Sequence, residues 1–216
     1  MSDTHVISAG PFGRAVARHL RQLLPGLGET PWDGETPPPP GGWPEVRVQI
    51  LAAWRPVPAL CDALDAASRA RQIPFIPLVL DCTDMRLGPV ILPEGPCWQC
   101  WVMRARQNVP SSRQEAALLR YYEDHPHAGP RGYLEPFAMM GAAQISQTVS
   151  ACRQGSVTPG WIWQLNVFTG EIKTGRLIGL DGCPRCGLGR PAEGRTYVEV
   201  RERLAHLWAT PDTANG

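Results

Sequence analysis

The 216-residue sequence has almost no net charge: 21 Lys and Arg against 20 Asp and Glu leave +1 at neutral pH. That balance gives no electrostatic footprint for nucleic acid or an anionic membrane surface, so neither is expected as a partner. It also has no long apolar run of the length a membrane span needs. The opening MSDTHVISAG lacks the basic start and extended apolar core of a signal peptide, so a cytoplasmic location is expected. There is no P-loop, no G-x-S-x-G and no H-E-x-x-H, which removes the commonest sequence signals for phosphate cradling, serine hydrolysis and zinc proteolysis. Cysteine is present but odd in number, seven, and without an export signal that argues against a disulfide framework.

What is plentiful is Pro (23), Gly (22) and Trp (8). Much of the proline lies in and around Pro37–Pro40, so the stretch 25–45 is read as a Pro-rich surface loop. Ahead of it, Thr4–Ala9 has the look of a short buried strand. It runs through GPFG into RAVARHLRQLL, where Ala15, Val16, His19, Leu20 and Leu23 recur at helical spacing. After the loop come a strand at Val46–Ala53, a helix at Val57–Arg71 and an apolar strand at Phe75–Asp81 of the kind buried on both faces of a parallel sheet. This β-α-β-α-β alternation predicts an α/β fold. A further strand is expected at Arg86–Leu92. Helices follow at Trp98–Gln107, Ser112–Asp124 and Tyr133–Arg153, with HPHAGP breaking the last two apart. The segment WIWQLNVFTGEIKTGRLIGL predicts an antiparallel hairpin turning at Thr169–Gly170. A closing helix is expected over Val198–Trp208.

Two places carry recognisable chemistry. SAGPFG lies on G-x-G-x-x-G with Ser8 in place of the first glycine, leaving Gly10 and Gly13. In that fingerprint the glycines let backbone approach a pyrophosphate at a helix N-terminus. About twenty residues on, where an acid should meet the ribose, the sequence enters its proline loop, and AAWRP after the strand at 46–53 offers no acid either. Gly10 and Gly13 are therefore a degenerate nucleotide turn, and a tight strand–helix turn with no ligand explains them as well.

The other place is a pair of pairs, Cys97-x2-Cys100 in GPCWQC and Cys183-x2-Cys186 in GCPRCG. A dithiol redox site needs only one such pair, and two independent disulfides do not suit the compartment. Four thiolates in two CxxC loops match one tetrahedral Zn²⁺, and four protein ligands leave no open position, so the ion is expected to be structural. Cys61, Cys82 and Cys152 are read as buried small residues. His125 and His127 read as surface histidines, and Asp81 and Asp84 as turn residues or a weak Mg²⁺ pair.

The order of these motifs resembles a known family. The degenerate turn VISAGPFGRAVARHL is followed by IPFIPLVL, then LGPVILPEGPCWQCWVMRAR, a helical crossover, and NVFTGEIKTGRLIGLDGCPRCG. Sharpest are Gly88, Pro89, Pro96, Cys97, Cys100 and Arg104, with Cys183, Pro184, Cys186 and Gly187 closing the likeness. Together they resemble the ThiF-like, ubiquitin-activating-like proteins that partner YcaO enzymes in azoline-forming peptide biosynthesis.

The resemblance implies a ThiF-like Rossmann-type sheet over 4–210, a single domain with a helical crossover insertion at 108–155, a four-cysteine zinc knuckle and a disordered tail at 211–216. In the wider family the glycine turn binds ATP and a carboxyl terminus is adenylated. In the YcaO-partner branch zinc is kept, while ATP is bound by the YcaO cyclodehydratase. The first strand begins near Thr4, so no N-terminal peptide-clamp domain is expected. The precursor peptide is then expected to be captured through a separate clamp protein. An FMN-dependent azoline dehydrogenase and a second copy of the chain are further partners the resemblance implies. The reading is a non-catalytic scaffold of a cyclodehydratase. Its alternatives are an active adenylyltransferase of a peptide or carrier-protein C-terminus, and a zinc-ribbon binding module.

Overall fold

The computed structural model describes residues 3–34, 42–108, 113–130, 132–187, 201, 202 and 204. Seven strands form one sheet: β1 (Thr4–Ala9), β2 (Gly28–Trp32), β3 (Val48–Ala53), β4 (Phe75–Asp81), β5 (Asp84–Leu87), β6 (Trp161–Asn166) and β7 (Ile172–Arg176). They are ordered β2-β1-β3-β4-β5-β6-β7. The first four run parallel, and β5, β6 and β7 continue antiparallel from β4.

Five helices accompany the sheet: α1 (Gly10–Leu23), α2 (Pro58–Ala70), α3 (Trp98–Asn108), α4 (Arg113–Asp124) and α5 (Glu135–Arg153). β1 and β3 are buried throughout, and β4 up to Asp81, because helices cover both faces. On one face α1 and α5 bury Phe12, Val16, Leu20, Ile145 and Val149 against Val6, Ile50 and Leu78. On the other, Leu60 and Leu64 of α2 and Trp98 of α3 pack on Ile7, Leu51 and Phe75. Each fully buried Leu, Ile or Phe of these layers contributes about 1.5–3 kcal/mol.

The Pro-rich loop expected over 25–45 needs correction. Residues Gly28–Trp32 form β2, parallel to β1 with Val6 opposite Glu29. GETPW has no apolar alternation because it lies at the sheet edge, where it is only half-buried and where Pro31 is tolerated. The expected strand Arg86–Leu92 is shorter and earlier: β5 starts at Asp84, pairs Asp84 with Asp81 across a two-residue turn, and ends before the cis Gly88–Pro89 bond. Ile91 makes an isolated bridge to Phe75. Asp81 and Asp84 thus close a hairpin, and Asp84 accepts a hydrogen bond from Thr83 at 2.9 Å.

α5 begins at Glu135 rather than Tyr133, with Pro136 in its first turn. The β6–β7 hairpin turns where expected. Asn166 Oδ1 accepts from the N–H groups of Phe168 (3.1 Å) and Thr169 (2.9 Å), and Gly170 has φ +73°. No helix among the described residues is long and apolar enough to cross a membrane. The run Pro37–Pro40 and the tail 211–216 lie outside the described residues, as does nearly all of the closing helix expected over Val198–Trp208.

Candidate metal centre and nucleotide turn

α3 starts at Trp98, so Cys97 sits at its N-terminal boundary and Cys100 in its first turn. Cys183 and Cys186 lie in the turns that follow β7. The fold brings the two pairs together: all four Sγ atoms lie within 4.8 Å of one another, and all four residues are buried. Sγ–Sγ distances are 3.4 Å for Cys97–Cys183, 3.3 Å for Cys100–Cys186 and 3.8 Å for Cys97–Cys100. Zn–S bonds of about 2.3 Å in a tetrahedron put sulfurs ~3.8 Å apart, so the donor set and its spacing fit one Zn²⁺.

The Leu180 N–H points at Cys100 Sγ at 3.5 Å, and the Gly187 N–H closes the second loop on the Cys183 carbonyl at 2.8 Å. The sulfurs lie within hydrogen-bonding reach of one another. Hydrogen bonding to Cys100 and Cys186 pushes the Cys97 thiol up, while hydrogen bonds from Cys186 and Cys97 hold Cys100 well below the ordinary thiol range. A cation replacing the thiol protons would be held by four thiolates with no open position, which suits a structural ion. Among the described residues this is the one group of His, Cys, Asp and Glu side chains with metal-binding spacing.

The remaining cysteines stand apart. Burial pushes the Cys61 thiol up to about 12 and Cys152 up to about 11, so both are inert at neutral pH. Cys82 departs from expectation: it is exposed, at φ +48° in the β4–β5 turn. His125 stacks on Tyr121, ring centroids 4.2 Å apart, and its Nδ1 lies 3.0 Å from the Tyr121 carbonyl.

The glycine turn has the shape of a nucleotide turn but not its open space. Gly10 has φ +69°, and a Cβ there would lie 2.2 Å from the Trp54 indole. Gly129, in the loop after α4, meets the other end of the same ring at 2.6 Å. Trp54 therefore fills the crevice at the C-terminal ends of β1 and β3, the place where ligands bind in open α/β sheets. Its neighbour Arg55, 3% exposed, holds the covering segment. It donates to the Tyr122 (3.2 Å) and Pro126 (3.1 Å) carbonyls, with its guanidinium 4.5 Å from the Tyr122 ring centre.

Gly13 serves packing: a Cβ would meet the Ala52 carbonyl oxygen of β3 at 2.3 Å. Ser8, which replaces the first glycine, donates to Glu29 Oε1 at 2.5 Å. The Trp54 indole thus occupies the space beside Gly10. One feature of the fingerprint survives unread in the sequence: Asp33 directly follows β2, where a ribose acid belongs, and pairs with Arg14 at 3.7 Å. It was hidden because β2 itself was hidden. Trp54 and Arg55 left a trace, the dipeptide WR straight after an apolar strand, but which groups they touch is set by tertiary contacts.

The sequence matches no protein-family model, and it matches no curated protein. Solved structures do share its fold. The heterocyclase TruD superposes with a TM-score of 0.60 at 19% identity, over 85% of this chain and 27% of that one. E. coli MccB gives 0.57 at 12% identity, over 88% of this chain and 66% of that one. The E. coli microcin synthetase McbBCD complex gives 0.56 at 13% identity, over 84% of this chain and 67% of that one. The chain thus corresponds to about a quarter of TruD and about two thirds of MccB. At such identities the likeness is one of architecture: this chain carries the mixed α/β fold found in a heterocyclase and in microcin-synthesising proteins, with four cysteines gathered at one point of it.

Proposed function

We propose that this chain is a non-catalytic, ThiF-like scaffold or activator subunit of a YcaO-dependent cyclodehydratase, working on a ribosomally made precursor peptide in the cytoplasm. In that role it holds the YcaO partner, and the peptide presented to it, so that Cys, Ser or Thr side chains close into thiazolines or oxazolines. ATP is bound by the partner. A separate clamp protein delivers the leader, an FMN-dependent dehydrogenase can follow, and the chain can pair with a second copy of itself.

The observation that carries this reading is Trp54 seated against Gly10, with Gly129 behind it and Arg55 fastening the cover. A turn so filled argues against a triphosphate there. Support comes also from the fold shared with a heterocyclase and with a microcin synthetase complex. The four cysteines would hold a structural Zn²⁺ that fixes the β6–β7 hairpin to the start of α3. When bound, that ion supplies cross-linking and no reaction chemistry.

The competing reading, an active adenylyltransferase, has Asp33 and the glycine turn in its favour. The two separate cleanly. With ATP, Mg²⁺ and precursor peptide, the chain alone is expected to give no ATP–pyrophosphate exchange and no heat of nucleotide binding in titration calorimetry. Exchange above the peptide-free background would establish the adenylyltransferase instead.

A further inference from the structure

We propose that Asp65 is a positioning residue for the metal centre, one buried carboxylate holding both cysteine loops in register. The inference rests on reading the four cysteines as a metal site. Asp65 lies on α2 and is fully buried. Its Oδ2 accepts from the Trp98 N–H at 3.2 Å and from Arg185 Nη1 at 2.7 Å. Trp98 lies inside the first CxxC loop, directly after Cys97, and Arg185 lies inside the second, directly before Cys186. A single oxygen therefore touches the interior of each loop.

The other oxygen, Oδ1, accepts from Arg69 Nε at 3.1 Å. Arg69 in turn donates to the Pro93 (2.8 Å) and Gly95 (2.7 Å) carbonyls, fixing the chain that leads into Cys97. Arg185 is fixed by a second carboxylate, making a two-pronged contact with Asp62 at 2.7 and 2.9 Å.

Physical reasons make this arrangement matter for metal binding. The two cysteine pairs are 86 residues apart in sequence, so bringing them together costs loop-closure entropy. Contacts that gather the loops without the ion lower the cost that the ion must overcome, and charge-assisted bonds of this geometry are the strong kind. The carboxylate also faces the N-terminal end of α3, where negative charge is favoured. Arg185 and Arg69 offset its charge, so it adds little repulsion to nearby thiolates. Groups one step behind the ligands commonly set metal affinity by about 10–100-fold.

The test uses the full zinc-loaded chain, following zinc release to a chromophoric chelator and, after Co²⁺ substitution, the absorption of a four-sulfur tetrahedral site. Arg185→Ala and Asp65→Asn are each expected to weaken zinc binding by about 10–100-fold. Arg185→Lys should recover part of the loss. The double variant should be little worse than either single one. Leu20→Ala, in the core on the opposite face of the sheet, lowers stability without touching the loops and should release zinc like the wild type. If Asp65→Asn does not fold, Arg185→Ala carries the test, since that side chain is 20% exposed. Wild-type release rates in both variants, or an equal loss in Leu20→Ala, would overturn the positioning role while leaving the metal centre intact. A wild-type chain that takes up neither zinc nor cobalt would remove the metal reading, and this inference with it.

Discussion

Replacing Cys97 with Ser, or stripping the metal with a chelator, is expected to release β7 and the loop after it while β1, β3 and β4 stay folded, and β6 stays too, since its Trp163 and Leu165 are buried in the main core. The cluster around the cysteines is small. Its buried members are Cys97, Cys100, Leu177, Cys183 and Cys186, so apart from the thiols a single leucine forms its heart. β7 offers nothing further, since all five of its residues are exposed. The polar links from α2 hold the loops near one another, but they do not bury enough apolar surface to keep this end of the chain closed. Structural zinc is worth about 10–16 kcal/mol in peptides that fold around it, and a domain with its own core should lose on the order of several kcal/mol instead. Hydrogen exchange with and without chelator reads this directly. Protection should drop over residues 172–187 and persist in β1, β3 and β4. Equal protection in both samples would mean the ion is not structural.

Gly13→Ala is the second large effect, and it involves no ligand at all. The added methyl would lie 2.3 Å from the Ala52 carbonyl oxygen and 3.2 Å from the Ser8 carbonyl carbon, both backbone atoms of paired central strands. No rotamer change relieves such a contact, so α1 must lift from the sheet along with Phe12, Val16 and Leu20. Overpacking ordinarily costs about 1–3 kcal/mol, and this case is expected at or above the top of that range. Gly10→Ala differs, because its obstacle is the Trp54 side chain. In a Trp54→Ala background the clash disappears and only the cost of an L-residue at φ +69° remains, about 1–2 kcal/mol. Urea denaturation of Gly13→Ala, Gly10→Ala, Trp54→Ala and the Gly10→Ala/Trp54→Ala double variant measures this. A Gly13→Ala chain as stable as the wild type would show that helix and strand are not in forced contact.

The fold was legible in the sequence only in part. β1, β4 and the β6–β7 hairpin were legible because local signals agree: a short strand running through a glycine turn into a helix for β1, an apolar run for β4, and a Thr–Gly turn between the antiparallel strands. The two CxxC pairs were legible because their spacing is the one a four-thiolate metal site uses, and the fold gathers all four sulfurs. β2 was not. An edge strand made of GETPW draws its order from the neighbouring ladder rather than from its own side chains, and with it went Asp33. Trp54 against Gly10, and Asp65 between the cysteine loops, were invisible for another reason. Each is a contact between residues far apart in sequence, and neither residue type announces its partner.

The role proposed for this chain is to assist a cyclodehydratase without itself using ATP. Reconstitution tests it most directly: precursor peptide, YcaO partner and ATP are combined with or without this chain, and the peptide mass is followed for loss of one water per residue cyclised. Water loss is expected only when this chain is present, with Trp54 and the glycine turn left as they are. Equal water loss in its absence would contradict that role.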